Sequence, residues 1–281
     1  MVVFISPVKN TRAAITNTLK TILLAVLCAC TSSRQLVQQP DTSKTTTNGK
    51  LWSSLYQQKA AEYAALCYQA YNTARMSLDR SLPLASSEKP PAIITDIDET
   101  FLDNSPYAVR QALQGKDYDS KTWQEWTGKG AALPLPGSVD FFNYAASKGV
   151  TVFYITNRGE QERAGTMANL KKYRYPFADN EHLIMMQGES SKEKRRLSIA
   201  MRYSILLLLG DNLADFSNLW DKKTTAERLE QVKENAAAFG TRFIILPNPT
   251  YGGWEDALYG NQHSLTPAQK ESAIRANLSA Y

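Results

Sequence analysis

The chain has 281 residues, 43% hydrophobic and 21% charged, with a formal net charge of +5. That composition fits a folded globular protein and excludes a disordered one. Three cysteines exclude a disulfide scaffold, and two histidines exclude a multi-histidine zinc centre. Lys9, Arg12 and Lys20 carry three of the net charges, so the rest of the chain is nearly neutral and a nucleic-acid polymer is not expected as a partner.

Lys9, Arg12 and Lys20 precede a short apolar run, Thr21 to Ala29. A charged start, a short apolar middle and a small residue before a cut are the layout of a secretory signal, expected at 1–29. The run is much shorter than the roughly 20 residues that span a bilayer. It ends Leu27-Cys28-Ala29-Cys30, which resembles a bacterial lipobox. Cys30, preceded by the small Ala29, is the expected acylation site, holding the protein to a bacterial membrane, at the outer membrane or cell surface. Residues 30–50 are rich in Ser, Thr and Gln and read as a flexible tether.

Residues 51–281 read as one domain. Residues 51–82 are rich in Ala and Tyr and predict one or two helices, with Leu55, Tyr63, Ala65 and Leu66 at near-helical spacing. Four short apolar runs follow: 92–95, 150–155, 205–209 and 243–246. They read as strands buried on both faces of a parallel sheet. Helical patterns fill the intervals at 138–148, 161–172, 192–203 and 224–239. Alternation of this kind implies an α/β layered fold. Each apolar run ends in polar residues at its carboxyl end, the edge where open parallel sheets bind ligands.

The first run stops at Asp96-Ile97-Asp98-Glu99-Thr100, the second at Thr156-Asn157-Arg158 and the third at Gly210-Asp211-Asn212, with Asp215 close behind. Like charges about 4 Å apart repel by several kcal/mol at intermediate dielectric. Acids gathered so closely need a cation, and Mg²⁺ with oxygen ligands is the natural candidate. Gly210 is expected to let the chain turn sharply as it leaves its strand.

Asp96-x-Asp98-x-Thr100, Thr156, Lys192 and Gly210-Asp211-x-x-x-Asp215, in that order, resemble the four motifs of the haloacid-dehalogenase-like phosphatases. In detail, the stretches 96–104, 154–158, 191–193, 210–216 and 246–255 resemble the class C nonspecific acid phosphatases, bacterial surface lipoproteins of which several act as nucleotidases. The resemblance implies a three-layer, Rossmann-like parallel sheet with a small helical cap at about 102–136. It implies Mg²⁺-dependent hydrolysis of phosphate monoesters, nucleoside monophosphates among them, through an aspartyl-phosphate. Asp96 would be the nucleophile and Asp98 the general acid and base. Asp96, the Asp98 carbonyl, Asp211 and Asp215 would hold the metal. Thr156, Asn157 and Lys192 would bind phosphoryl oxygens, and Tyr118, Trp123 and Tyr251 would flank the leaving group.

Other readings of the same residues remain. Asp96 alone could cap a helix, and the basic run Lys192-Glu193-Lys194-Arg195-Arg196 could be a solvated helix start. Trp123 and Trp126, three apart, could be core. A non-catalytic surface or storage protein on this fold would lack the nucleophile, whereas position 96 here is Asp. A phosphotransferase would share the same intermediate.

Overall fold

The structure, a computed structural model, describes residues 44–86 and 88–281. Helices α1 (Thr45–Lys59) and α2 (Ala61–Ser81) lead into strand β1 (Pro91–Thr95). A short hairpin follows, β2 (Leu102–Asp103) with β3 (Leu133–Pro134), and α3 (Ser105–Leu113) and α4 (Ser120–Thr127) lie between its strands. The chain then alternates α5 (Ser138–Ser147), β4 (Thr151–Ile155), α6 (Arg163–Lys172), β5 (Leu183–Ile184), α7 (Glu193–Ala200), β6 (Ser204–Gly210), α8 (Thr225–Glu234) and β7 (Phe243–Ile245). Helices α9 (Gly253–Leu258) and α10 (Pro267–Asn277) close it.

Strands β5-β4-β1-β6-β7 form one parallel sheet in that order. Alternate strand residues point to opposite faces, and both faces are apolar. Ile93, Val152, Tyr154, Leu207 and Leu209 pack on one side against Tyr71 and Leu78 of α2 and Phe142 of α5. Ala92, Ile94, Phe153, Ile155 and Leu208 pack on the other against Ile199 of α7, Phe216 and Trp220. Helices on both faces make the three layers expected from the sequence. From β1 the chain moves outward through β4 and β5, then returns to β6 on the other side of β1. That reversal opens a crevice at the carboxyl ends of the strands, where such folds bind ligands.

The expected cap segment holds α3, α4 and the small hairpin. Asp119 caps α4 by accepting the Thr122 N–H at 2.9 Å. The cap rests on α6 at Gly165, where an added Cβ would overlap the Thr127 carbonyl and the Gly128 Cα.

Several expectations need correction. Helix α1 begins at Thr45, so the end of the 30–50 stretch is not a tether. Its Lys50 is drawn into an ion pair with Asp117 at 2.6 Å. The stripe over 51–82 is also different. Helix α2 buries Tyr63, Cys67, Tyr71, Ala74 and Leu78, while Leu55 and Leu66 are exposed. Helix α1 buries Thr47, Ser54 and Gln57 instead, because its inner neighbours are polar: the Gln57 amide donates to Asp103 at 2.8 Å. Strand β5 was not legible, because two residues are too few to stand out as a run. The signal at 1–29 and Cys30 lie outside the described residues. No helix among the described residues is long and apolar enough to cross a membrane.

Gly165→Ala should strain the seat of the cap. Overpacking costs about 1–3 kcal/mol, and the melting temperature should fall by about 2–10 °C in a chain of this size. An unchanged melting curve would mean that α6 and the cap can separate at no cost.

Candidate active site

Asp96 follows β1 directly, and its N–H donates to the Leu209 carbonyl of β6 at 3.0 Å, which extends the sheet by one residue. Asp211 follows β6, and Asp215 lies on the 3-10 turn behind it. Gly210 is required for close approach rather than for a sharp turn: a Cβ there would overlap the Asp215 side chain. Oxygens of Asp96, Asp211 and Asp215 lie within 4.8 Å of one another. This is an all-oxygen donor set of the kind that hard divalent cations take.

A resident cation supplies part of the charge balance. The Lys192 ammonium donates to Asp96 and, at 2.7 Å, to Asp215. Burial works against the Lys192 charge, but Asp215 and Asp96 together hold its pKa above the ordinary value. Burial pushes the Asp96 carboxyl up, against the pull of Lys192. Asp211 has no ion pair among the described residues. Thr100 and Asn248 donate to it at 2.9 and 2.8 Å. Burial, with Asp215 and Asp96 nearby, raises its pKa well above the usual range. It is the carboxyl that an added cation would relieve.

The basic run at the start of α7 is not a solvated face. Lys192, Arg195 and Arg196 are buried, and only Lys194 turns outward, to Glu189. Arg195 donates to the Thr156 carbonyl and to the Asn157 amide oxygen, each at 2.7 Å. Arg196 donates to the Ala214 and Asp215 carbonyls at 2.7 and 3.0 Å. One helical turn therefore binds the loops after β1, β4 and β6.

Asp98 is gripped from two sides. The buried Arg158 donates to it from Nη2 at 2.7 Å and from Nε at 3.1 and 3.2 Å. The Asn104 amide donates to the same carboxylate at 2.8 Å and accepts from the Trp126 indole at 2.8 Å. Glu99 sits in the left-handed region, φ 53°, at a backbone cost of about 1–2 kcal/mol for a residue with a Cβ. Its carboxyl accepts the Asn104 N–H at 2.8 Å and the Tyr251 hydroxyl, which ties the first acid loop to the loop after β7.

These groups floor a cavity of about 560 Å³. Asp96, Asp98, Asn157, Lys192, Asp211, Asp215, Tyr118, Trp123 and Tyr251 all line it. Thr156 does not. It is fully buried, and its hydroxyl accepts the Arg158 N–H at 3.0 Å. On the cap, Tyr107, Tyr118 and Trp123 form an aromatic wall with centroids 5.0–6.4 Å apart, and Trp123 faces the Arg158 guanidinium at 5.9 Å. Trp126 is partly buried and bonded to Asn104. Sequence reading assigned no role to Asn104 or Asn248, although both lie inside the motifs. An amide beside a carboxylate cluster is the signal that finds them. Lys50, Asp117 and Lys270 also line the cavity. Their partnership spans 67 and 153 residues of sequence and leaves no local trace.

The family described as HAD superfamily, subfamily IIIB (Acid phosphatase) matches residues 14–254. The structure is similar to that of the class C acid phosphatase from Bacillus anthracis, with TM-score 0.81 and 40% identity, over 84% of this chain and 99% of that one. A second structure of that enzyme, with tungstate bound, aligns with TM-score 0.81 and 41% identity, over 85% and 99%. Among curated proteins, a Stem 31 kDa glycoprotein of Glycine max is 29% identical over 128 residues, 43% of this chain and 50% of that protein. Acid phosphatase 1 of Solanum lycopersicum is 25% identical over 167 residues, 56% of this chain and 57% of that protein. The chain thus spans about half the length of the curated relatives it matches.

Burial lifts the Glu99 carboxyl from its ordinary 4.5 to about 8, with Asp98 adding repulsion and Tyr251 and Asn104 pulling back. The folded chain then keeps a proton that the unfolded chain releases above 4.5. This contribution to stability is complete below 4.5 and is lost as pH rises toward 8. In chelator, the melting temperature should decline across that window, and Glu99→Gln should flatten the decline. Parallel pH profiles for parent and variant would remove Glu99 as the titrating group.

Proposed function

The chain belongs to subfamily IIIB of the HAD superfamily, the acid phosphatases, and from that premise we propose that it hydrolyses phosphate monoesters, nucleoside monophosphates among them, with Mg²⁺ and an aspartyl-phosphate on Asp96. The observation that carries this reading is the Asp96 carboxylate, buried at the cavity floor, bonded to Lys192 and grouped with Asp211 and Asp215. A buried carboxylate next to a cation and two further acids is a poor structural device but a good nucleophile for phosphorus.

An Asp96 oxygen attacks phosphorus as the ester P–O bond breaks, and Asp98 gives its proton to the leaving oxygen. Asp98 then takes a proton from the water that attacks phosphorus, and Asp96 leaves as a free carboxylate. Arg158 and Asn104 hold Asp98 in place for both transfers. Lys192 and Asn157 bind phosphoryl oxygens, a role supported by their position on the lining of the cavity. The Thr156 hydroxyl, which accepts from Arg158, still has its own proton to donate. Asp96, Asp211 and Asp215 would hold Mg²⁺, which supplies charge to offset the repulsion between nucleophile and phosphate. The bound tungstate in the Bacillus anthracis enzyme supports a tetrahedral-oxyanion site in this fold. Aromatic faces such as Trp123 and Tyr118 suit a nucleobase, a stacking worth about 1–3 kcal/mol in nucleic-acid cases.

The test is phosphate release from nucleoside monophosphates and simple esters. Asp96→Asn should abolish it while the fold survives. Asp98→Asn should slow release by about 10²–10⁴-fold, more for poor leaving groups than for nitrophenyl phosphate. Chelator should remove activity and Mg²⁺ restore it, and Mg²⁺ should raise the melting temperature of the parent more than that of Asp211→Ala. Full activity in Asp96→Asn, or in excess chelator, would overturn the nucleophile or the metal respectively.

The lipobox-like Leu27-Cys28-Ala29-Cys30 supports acylation of Cys30 and anchoring at a bacterial membrane surface. Cys30→Ser should release the protein from the detergent phase or block its processing. A mature terminus found elsewhere by mass spectrometry would remove the anchor.

A further inference from the structure

We propose that Asp117 is a positioning residue for leaving-group recognition, clamping the cap loop that carries Tyr118 to both ends of the described chain. The inference rests on the phosphatase reading above and names what fixes the leaving-group wall of that site. Asp117 lies in the loop between α3 and α4. One of its carboxylate oxygens takes the Lys50 ammonium of α1 at 2.6 Å, and the other takes the Lys270 ammonium of α10 at 2.6 Å. Lys50 also reaches Glu255 of α9, at 3.6 Å. Burial works against the Asp117 charge, yet Lys50 and Lys270 hold its pKa well below the ordinary carboxylate value. The loop is fastened from its inner side too: the Gln111 amide donates to the Asp117 carbonyl at 2.7 Å, and the Tyr118 N–H donates back to the Asp117 carboxylate at 2.9 Å.

Tyr118 depends on this fastening. It is 63% exposed and, among the described residues, makes only one edge-on ring contact, with Tyr107, and one tilted ring contact, with Trp123, at centroid distances of 6.4 and 6.2 Å. Its place in the cavity wall is therefore set by its backbone, and the Asp117 clamp sets that backbone. Lys50, Asp117, Tyr118 and Lys270 all line the cavity that holds Asp96. Asp117 makes no hydrogen bond or ion pair with Asp96, Asp98, Asp211 or Asp215, so the clamp acts on binding and not on bond breaking. Lys270 lies beyond residue 254, where the family match ends. The clamp thus draws on a residue of the C-terminal segment as well as on α1 and the cap loop. It uses three partly exposed side chains. Each pair alone is worth little in water, but together they immobilise a loop before the ligand arrives, which is where preorganisation raises affinity.

The test compares the full chain with Asp117→Asn, Asp117→Glu and Lys270→Met. Equilibrium binding of a nucleoside monophosphate is read by tryptophan fluorescence, and KM and kcat are measured on the same ester. Asp117→Asn should raise Kd and KM by about three- to tenfold, the scale of two partly exposed ion pairs, with kcat held within about twofold. Asp117→Glu, which keeps both pairs, should recover most of the affinity. Lys270→Met should give an intermediate loss, and it serves as the readout if Asp117→Asn fails to fold. A parent-like Kd in Lys270→Met and Asp117→Asn, a loss confined to kcat, or a parent that binds no nucleotide would overturn the clamp. A parent that binds nucleotide through the clamp but releases no phosphate would instead overturn the hydrolytic reading and leave the clamp standing.

Discussion

The contact of Lys192 with Asp96 and Asp215 holds the centre of the molecule together. Charges taken out of water cost several kcal/mol each unless they are paired with good geometry. Here the sheet delivers Asp96 and Asp211 to adjacent strand ends, β1 and β6, and the turn behind β6 adds Asp215. Three carboxyls in one crevice would push the loops apart. The first residue before α7 puts an ammonium between two of them. That leaves Asp211 as the carboxyl with neutral partners only, Thr100 and Asn248. The pocket is therefore short of positive charge at one defined place, and a hard divalent cation is the species that fits there.

The same turn does more than supply Lys192. Arg195 bonds the loop after β4 and Arg196 the turn after β6. A helix on one face of the sheet thus fixes the spacing of three strand-end loops. Arg158 and Asn104 perform the equivalent task for Asp98, and through Trp126 the cap joins in. Each of these carboxylates is held by a buried donor with a second partner of its own: Lys192 on Asp96 also bonds Asp215, Arg158 on Asp98 also bonds the Thr166 hydroxyl, and Asn104 on Asp98 accepts from the Trp126 indole. Preorganised dipoles and charges of this kind cost no rearrangement during reaction. Glu99 shows what the arrangement concedes. It occupies a left-handed backbone position and a buried site that opposes its ionisation, and it is retained by its bonds to Asn104 and Tyr251.

Much of this was legible in the sequence, for physical reasons that differ by element. Strands β1, β4 and β6 lie inside the sheet and are covered on both faces, so their apolar runs are unbroken and their ends are marked by the first polar residue; the edge strand β7 keeps an apolar run although Ile245 is exposed, which departs from the burial expected of it. That is why the acid motifs could be assigned to one edge. Strand β5, with Leu183 and Ile184 alone, leaves no such mark. Helix α1 misled because its buried positions are the polar Thr47, Ser54 and Gln57, and periodicity looks for the reverse. The basic run 192–196 was ambiguous because a solvated helix start and a set of buried anchors have the same composition. Only the third dimension shows that Lys194 alone faces out. Gly210 was singled out for the wrong reason, since its need comes from Asp215 five residues on and not from its own dihedral angles.

The division of labour in the cavity follows from the same distinction. Its floor comes from residues next to strand ends, whose positions are dictated by sheet hydrogen bonds and by the packed layers on either side. A change there disturbs the core. Its upper wall comes from segments that the sheet does not constrain: α1, the cap loop, α9 and α10. Those segments meet through partly exposed ions and ring edges, interactions that are individually weak and easily exchanged. A fold built this way fixes the carboxylate floor through its core, while the wall above it rests on contacts that the core does not fix. The floor is accordingly the part that short motifs can announce. The wall, assembled from residues as far apart as Lys50 and Lys270, is visible only once the chain has folded.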